Sequence, residues 1–215
     1  MTRATNSGQM RQSNRQLVLN LIRSGTLSRA DIAKKTGLTR AALTIIADEL
    51  LQEGLILEEE SSAVGVGRRP KILSLNGHSR LALGINITRR FCEIGLVTLT
   101  GEVLSSQRFD NRELSPQEAM ERLMCEALSL LQGGDRDKLL GVGVTTPGPV
   151  DTRTLTILTP PNFEAWHGVC LAPLAEQLGL PLYLENISSA YALCAKYFGK
   201  CVDEDNYIAL LVDEG

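Results

Sequence analysis

Residues that build metal sites are scarce in this chain. It has only two histidines, His78 and His167, and its five cysteines are scattered without a CxxC pair. Structural zinc sites need clustered Cys and His ligands, so none is expected. Dispersed cysteines in odd number are typical of reduced thiols in a cytosolic protein. No apolar run approaches the roughly 20 residues of a membrane helix, and residues 1–7 lack an apolar signal region. We therefore expect a cytoplasmic protein without membrane contact.

Positive charge is concentrated in the first part of the chain. Residues 1–80 carry 12 Lys and Arg against 7 Asp and Glu, whereas residues 81–215 carry 10 against 18. A basic head on an acidic body is expected where only the head neutralises phosphates. The length of 215 residues suggests roughly two domains. We place them at residues 1–78 and 79–215.

The head has the pattern of a helix-turn-helix. A first helix is expected at residues 13–23, with an apolar face formed by Leu17, Val18, Leu21 and Ile22. Ser28 is a suitable N-cap for a second helix, with Asp31 in the capping-box position. Gly37 then provides a turn, and Thr39 caps a third helix at 39–51. The inward stripe of the third helix is Leu43, Ile46, Ala47 and Leu50.

The outward face of the third helix and the segment that follows it predict DNA binding. The face carries small or hydrogen-bonding side chains, as an approach to base edges requires. Strands at 55–58 and 71–75 flank a basic, glycine-punctuated wing suited to a minor groove or to phosphates. The candidate DNA-binding residues are Ser28, Arg29, Thr39, Arg40, Ala41, Thr44, Arg68, Arg69 and Lys71. The alternative is a helical domain that does not bind DNA. The turn, the outward face of the third helix and the basic wing occur together and in the expected order, which favours DNA binding.

From residue 82 onward, strands alternate with helices, which predicts an α/β domain with a mixed sheet. Strands are expected at 83–87, 91–99, 102–104, 139–144 and 180–186, and helices at 115–131, 171–178 and 188–198. The Gly141-Val142-Gly143 run belongs to a strand and is not a phosphate loop, because no helix N-terminus follows it.

The order of these motifs resembles the ROK family of repressors and sugar kinases, in its transcriptional-repressor branch with an N-terminal winged helix. The resemblance extends from about residue 13 to residue 215. It is carried by Ser28-Arg29-Ala30, Gly65-Val66-Gly67-Arg68-Arg69-Pro70, Pro147-Gly148-Pro149-Val150, Asn162, Trp166, Glu185-Asn186 and Ala190. It implies an actin-like, two-lobed ATPase fold, of which this chain holds the first lobe and the start of the second, with sugar bound between the lobes. The implied effector-binding residues are Gly148, Asn162, Glu185 and Asn186.

Two departures from the family's kinases argue against phosphoryl transfer. Where those kinases carry an Asp, two glycines and a Thr, this chain has Asn86-Ile87-Thr88-Arg89-Arg90. By this resemblance, the side chains of Thr88, Arg89 and Arg90 enter the space of a nucleotide phosphate. The Asp that accepts the proton of the sugar hydroxyl is replaced by Ile187, which cannot accept one. We therefore expect no enzyme activity. The Arg89-Arg90 pair is either an anion-binding element or a solvated loop, and Asn186 is either a sugar contact or a helix N-cap.

The final residues, 208–215, resemble the family strand that enters the second phosphate loop, and they stop within that motif. We expect a truncated product, with the family's structural zinc site beyond residue 215 and no cofactor in this chain. The main hypothesis is a sequence-specific, sugar-responsive repressor without kinase activity. Its expected partners are double-stranded operator DNA, a sugar or sugar-phosphate effector, and further copies of the chain in a dimer or higher homo-oligomer. Two alternatives stay open: a ROK-type sugar kinase with an accessory DNA-binding head, and a ligand-independent DNA-binding or dimerisation module.

Overall fold

The computed structural model describes residues 7–60, 71–134, 136–199, 201, 204 and 206–212. The chain divides into two compact units, Met1–Ser79 and Arg80–Gly215, and each has its own buried apolar core. Within the described residues, no helix is long and apolar enough to cross a membrane. The same part of the chain contains no group of three or more His, Cys, Asp or Glu placed to hold a metal ion.

The first unit combines three helices with a small antiparallel sheet. Its elements are α1 (Ser7–Ser24), β1 (Leu27–Ser28), α2 (Arg29–Thr36), α3 (Arg40–Gln52), β2 (Ile56–Glu60) and β3 (Lys71–Leu75). The strands lie in the order β1-β3-β2, and β2 pairs with β3 from Ile56 opposite Leu75 to Glu60 opposite Lys71. The predicted helix-turn-helix and the two strands of the wing are therefore present.

Local capping sets the boundaries of α2 and α3. Ser28 and Asp31 form a reciprocal capping box at the start of α2, and Gly37 ends that helix with a left-handed φ of 72°. The backbone N–H of Ala42 donates to Thr39 Oγ1 at 3.2 Å, which caps α3. Both caps confirm the sequence-based prediction.

Helix α3 turns its predicted apolar stripe inward. Its four stripe residues are buried in a core to which every other element of this unit contributes, β1 through the partly buried Leu27. The buried residues of this core are Val18, Ile22, Ile32, Leu43, Ile46, Ala47, Leu50, Ile56 and Leu73. The prediction for α1 was wrong in two respects. The helix begins at Ser7, and Leu17 is exposed because it lies about 100° around the helix from Val18.

The second unit is an α/β domain, as predicted. Its elements are β4 (Leu81–Ile87), β5 (Phe91–Thr98), β6 (Val103–Asp110), α4 (Pro116–Leu130), β7 (Leu139–Thr146), β8 (Val150–Asp151), β9 (Thr156–Ile157), α5 (Ala172–Leu178), β10 (Leu182–Asn186) and α6 (Ile187–Tyr197). The main sheet has the order β10-β7-β4-β5-β6. Strands β10, β7 and β4 are parallel, and β4, β5 and β6 are antiparallel.

Strand β6 is longer than the prediction of 102–104, and it stays paired with β5 as far as Asp110 opposite Phe91. Its residues from 103 to 108 are all exposed, so the apolar alternation that identifies a half-buried strand is missing. The short hairpin of β8 and β9 was not predicted either, because two-residue strands carry no periodic pattern. The longer β6 matters because it brings Arg108 and Asp110 to the edge of the sheet at which β4 ends.

The parallel strands direct their carboxyl ends to one edge of the sheet. Strands β4, β7 and β10 end at Ile87, Thr146 and Asn186, and the loops that follow them meet at this edge. In open α/β sheets, ligands bind in the crevice at the carboxyl ends of the strands. Helices α4 and α5 contribute buried side chains to the core, whereas α6 has no buried residue along its length.

Candidate functional site

The N-terminal end of α3 presents an exposed surface. Thr39, Arg40, Ala41 and Thr44 are all exposed, as a helix that reads the major groove requires. Two of these side chains also have local partners. Thr39 Oγ1 caps the helix, and the Thr44 hydroxyl donates to the Arg40 carbonyl oxygen at 2.8 Å. Of these four residues, Thr39 is the one that caps the helix.

Arg29 and Lys71, both predicted as DNA contacts, lie in a chain of ion pairs. Arg29 Nη2 is 2.9 Å from Asp48 Oδ1 on α3, and Arg29 Nε is 2.9 Å from Glu58 Oε1 on β2. Lys71 Nζ is 2.8 Å from Glu58 Oε2. The hydrogen bond from Lys71 lowers the pKa of Glu58 against the opposing effect of desolvation, and Arg29 adds to the lowering. We call these four residues the Arg29 network.

A second set of ion pairs joins α3 to α1. Arg11 pairs with Glu49, and Arg15 pairs with Glu53. Arg15 also has a longer contact of 4.0 Å with Glu49. Ion pairs thus join α3 directly to α1 and, through Arg29, to α2 and β2. These contacts hold the helix that carries the exposed surface.

Two predicted DNA-binding residues, Arg68 and Arg69, lie outside the described residues. The remaining candidate, Ser28, is half-buried in the capping box, and its hydroxyl accepts a hydrogen bond from the Asp31 backbone N–H. The role of Ser28 that the structure shows is to start α2. Its contact with DNA stays a prediction.

The second unit contains a cleft of 1110 Å³ at the carboxyl edge of its sheet. Gly148 and Asn186, two of the four predicted effector-binding residues, line this cleft. The Asn186 side-chain oxygen accepts the backbone N–H of Ser188 at 2.8 Å and so caps α6. Its side-chain nitrogen lies directly against Gly148. The structure therefore supports the N-cap interpretation of Asn186. The amide nitrogen of the same side chain lies against Gly148 in the lining of the cleft.

The other two predicted effector-binding residues contact residues that line the cleft. Glu185 Oε1 accepts the backbone N–H of Asn186 at 2.8 Å. Asn162 has a positive φ of 52°, and its carbonyl oxygen accepts a hydrogen bond of 3.3 Å from Arg89 Nε. These two residues thus have visible positioning contacts, while a direct contact with a ligand stays a prediction.

Four arginines line the cleft: Arg89, Arg90, Arg108 and Arg112. Arg89 Nη2 donates to the Pro161 carbonyl oxygen at 2.8 Å, which anchors a side chain of the predicted loop. Arg108 lies over the ring of Phe91, 3.4 Å from its centroid. Sequence reasoning missed Arg108 and Arg112. Their spacing around Asp110 was a usable signal, but the predicted strand ended at residue 104.

One carboxylate, Asp110, accompanies these arginines in the lining. It forms a bidentate pair with Arg112, with Nε to Oδ1 at 3.1 Å and Nη2 to Oδ2 at 2.5 Å. The hydrogen bonds from Arg112 lower the pKa of Asp110 to about 2. Guanidinium groups therefore outnumber carboxylates in the lining, which suits a ligand with a negative group.

Ile187, at the position where the resemblance implies a catalytic Asp, begins α6 and lines the cleft. Its side chain offers no group that accepts a proton. Asn86, on β4, also lines the cleft, and its side-chain oxygen accepts a hydrogen bond of 2.9 Å from Thr145 Oγ1. The cleft thus retains groups that bind hydroxyls and anions, and it has an aliphatic residue where the resemblance implies the base.

Residues 82–215 match the sequence model of the ROK family, and the chain belongs to this family. It is 30% identical over 211 residues to the xylose repressor of Caldicellulosiruptor bescii, an alignment that covers 96% of this chain and 53% of the relative. The crystal structure of a ROK family transcriptional regulator, a homologue of the Escherichia coli MLC protein, superposes with a TM-score of 0.68 at 29% identity. It covers 88% of this chain and 49% of that one.

A ROK family glucokinase from Streptomyces griseus, solved with glucose and AMPPNP, is also similar, with a TM-score of 0.50 and 25% identity over 56% of this chain and 37% of its own. The predicted family and fold class are confirmed by these comparisons. The repressor alignment spans nearly the whole of this chain, and the kinase alignment little more than half. The chain itself spans about half the length of the curated relatives it matches.

Proposed function

We propose that this chain is a sequence-specific DNA-binding repressor of the ROK type, without kinase activity, whose second unit binds a sugar or sugar phosphate. The observation that carries the proposal is the exposed N-terminal surface of α3, braced by ion pairs and followed by the two strands of a wing. The names of the repressor relatives, which align with nearly all of this chain, support it.

In the proposed complex, Arg40 and Ala41 face base edges in the major groove, and Arg68 and Arg69 reach the minor groove or phosphates. Two such heads in a dimer read half-sites about 34–36 Å apart or a multiple of that spacing. Effector binding in the second unit shifts the equilibrium between states that do and do not fit this spacing. Gly148, Asn162, Glu185 and Asn186 form and support the proposed effector site.

The test of DNA reading uses duplexes that the 215-residue chain itself selects from a random pool, with scrambled duplexes of equal length as reference. Arg40→Ala is compared with Arg153→Ala, which removes the same charge from an exposed residue of the second unit. Loss of one base contact costs about 1–3 kcal/mol, so Arg40→Ala should weaken binding to the selected duplex and Arg153→Ala should not. Equal, weak binding of the unaltered chain to both duplexes contradicts the proposal.

The effector part is tested by calorimetry on the same chain with xylose, glucose and their phosphates, and with ATP. Binding of a sugar or sugar phosphate that also changes the affinity for the selected duplex supports an effector role, since coupling between two sites is reciprocal. DNA binding that none of these ligands alters favours the ligand-independent module. Phosphorylation of a sugar in the presence of ATP and Mg²⁺ revives the kinase alternative.

A further inference from the structure

The Arg29 network joins three elements of the proposed DNA-binding surface. Arg29 is the first residue of α2, and its guanidinium group reaches Asp48 on α3 and Glu58 on β2, each at 2.9 Å. Lys71, the first residue of β3, binds the other oxygen of Glu58. Helix α3, the proposed recognition helix, is therefore connected to both wing strands through Arg29 and Glu58, whose side chains are 28% and 16% exposed.

The network carries no net charge, since two cations meet two carboxylates. Asp48 lies on the exposed face of α3 and Glu58 on a wing strand, and both would repel DNA phosphates if they were unpaired. A positive side chain that is paired with a carboxylate of its own protein attracts a DNA phosphate less strongly. The chain of ion pairs thus argues against Arg29 and Lys71 as independent phosphate contacts.

We propose that Arg29 is a positioning residue that holds the wing strands β2 and β3 in a fixed orientation to the recognition helix α3, with Glu58 as its partner and Lys71 as the second support. This inference rests on the proposed function. The planar guanidinium group suits the role, because its donors form a rigid fork that can engage two carboxylates at once. The strands also bury Ile56 and Leu73 in the core, so they remain folded without the network, which sets their orientation.

The inference and simple electrostatics predict opposite changes in DNA affinity for Glu58→Gln. If only charge mattered, Glu58→Gln would remove a negative group near DNA, release Arg29 and Lys71, and raise the affinity for every duplex. If Glu58 helps to position the wing, the same substitution lowers the affinity for the selected duplex. Glu59→Gln is the matched control, because it removes the same charge from an exposed neighbour on the same strand.

The experiment measures binding of the unaltered chain, Glu58→Gln and Glu59→Gln to the selected and scrambled duplexes. We expect Glu58→Gln to weaken binding to the selected duplex roughly five- to tenfold, the scale of one ordinary hydrogen bond, with little loss on the scrambled duplex. Glu59→Gln should bind both as tightly as the unaltered chain or more so. Glu58→Gln binding the selected duplex as tightly as Glu59→Gln overturns the inference.

Arg29→Lys gives a second test that retains the charge. A lysine ammonium lacks the rigid fork, so the variant should lose affinity for the selected duplex and keep its affinity for the scrambled one. An Arg29→Lys chain that binds the selected duplex normally overturns the inference, because retained charge would then be sufficient.

Hydrogen exchange in the free protein separates the inference from the proposed function. The backbone amides of β2 and β3 should exchange faster in Glu58→Gln than in Glu59→Gln, while those of buried α3 residues should not. Equal exchange of the strands in both variants overturns the inference even where DNA binding is found. An unaltered chain that selects no duplex contradicts the proposed function, whereas faster exchange of β2 and β3 in Glu58→Gln would still support the role of the network in holding the strands.

Discussion

The side-chain amide of Asn186 occupies the space that a Cβ atom at Gly148 would fill. This close approach joins the loop after β7 to the first turn of α6, because Asn186 also caps that helix. A Cβ atom at position 148 would force the Asn186 side chain to shift, because the two would overlap. The wall of the proposed effector cleft and the N-cap of α6 therefore depend on the same contact.

Gly148→Ala should accordingly destabilise the chain by about 1 kcal/mol or more, the usual scale of a lost N-cap or an overpacked site. Urea unfolding of the two-domain chain, followed by a probe in the second unit, measures the change. Gly143→Ala is the control, because no described heavy atom lies within 4 Å of a Cβ built at that strand position. Equal stabilities of the two variants would show that the Asn186 side chain moves aside without consequence.

Substitutions of Thr39, the N-cap of α3, and of Thr44 within the helix should separate an effect on stability from an effect on DNA binding. Thr39→Ala removes the N-cap and should destabilise the first unit by about 1 kcal/mol. Thr44→Ala removes only a hydrogen bond to the preceding turn, an interaction that does not favour helices, and should leave the unfolding free energy nearly unchanged. If Thr44 contacts DNA as predicted, its variant nevertheless loses affinity for the selected duplex. Thermal unfolding and anisotropy titration on the same samples check both expectations, and a Thr44→Ala chain that is markedly less stable contradicts the first.

The features that could be predicted from the sequence are those that depend on local patterns. The cap residues Ser28 and Thr39 act on backbone groups within three residues of themselves, so spacing alone identifies them. Arg29 and Glu58 are 29 positions apart, and only the packing of β2 near α2 and α3 brings them together. A sequence pattern shows the charge of such an arginine and cannot show its partner. For the same reason Arg108 was missed, since its place in the cleft depends on the full length of β6.

The Arg29 network should make stability depend on pH in the acid range. Lys71 and Arg29 lower the pKa of Glu58 below its ordinary value of 4.5. A carboxyl group whose pKa is lowered by folding contributes stability above its unfolded pKa, and that contribution is lost as the pH falls through the folded pKa. The difference in unfolding free energy between the unaltered chain and Glu58→Gln should therefore be present at pH 7 and shrink below pH 4.5. Chemical unfolding across this range measures it, with Glu59→Gln as the pH control; a difference independent of pH would assign the effect to packing.

Arg108 offers a test of whether the cleft favours a ligand with a negative group. Its guanidinium lies on the Phe91 ring, so its position is set by packing before any ligand arrives, which limits the entropy lost on binding. A sugar phosphate should raise the unfolding temperature of the unaltered chain more than the free sugar does, since a ligand that binds only the folded state stabilises it.

Arg108→Gln should remove most of this difference between phosphate and free sugar. Arg153→Gln, at an exposed hairpin residue, is its control and should keep the difference. Inorganic phosphate serves as a further arm, because stabilisation by phosphate alone would indicate recognition of the anion without the sugar. An equal response of the unaltered chain to sugar and sugar phosphate would mean that the arginines of the cleft serve the packing of the protein, and the effector would then be sought among neutral sugars.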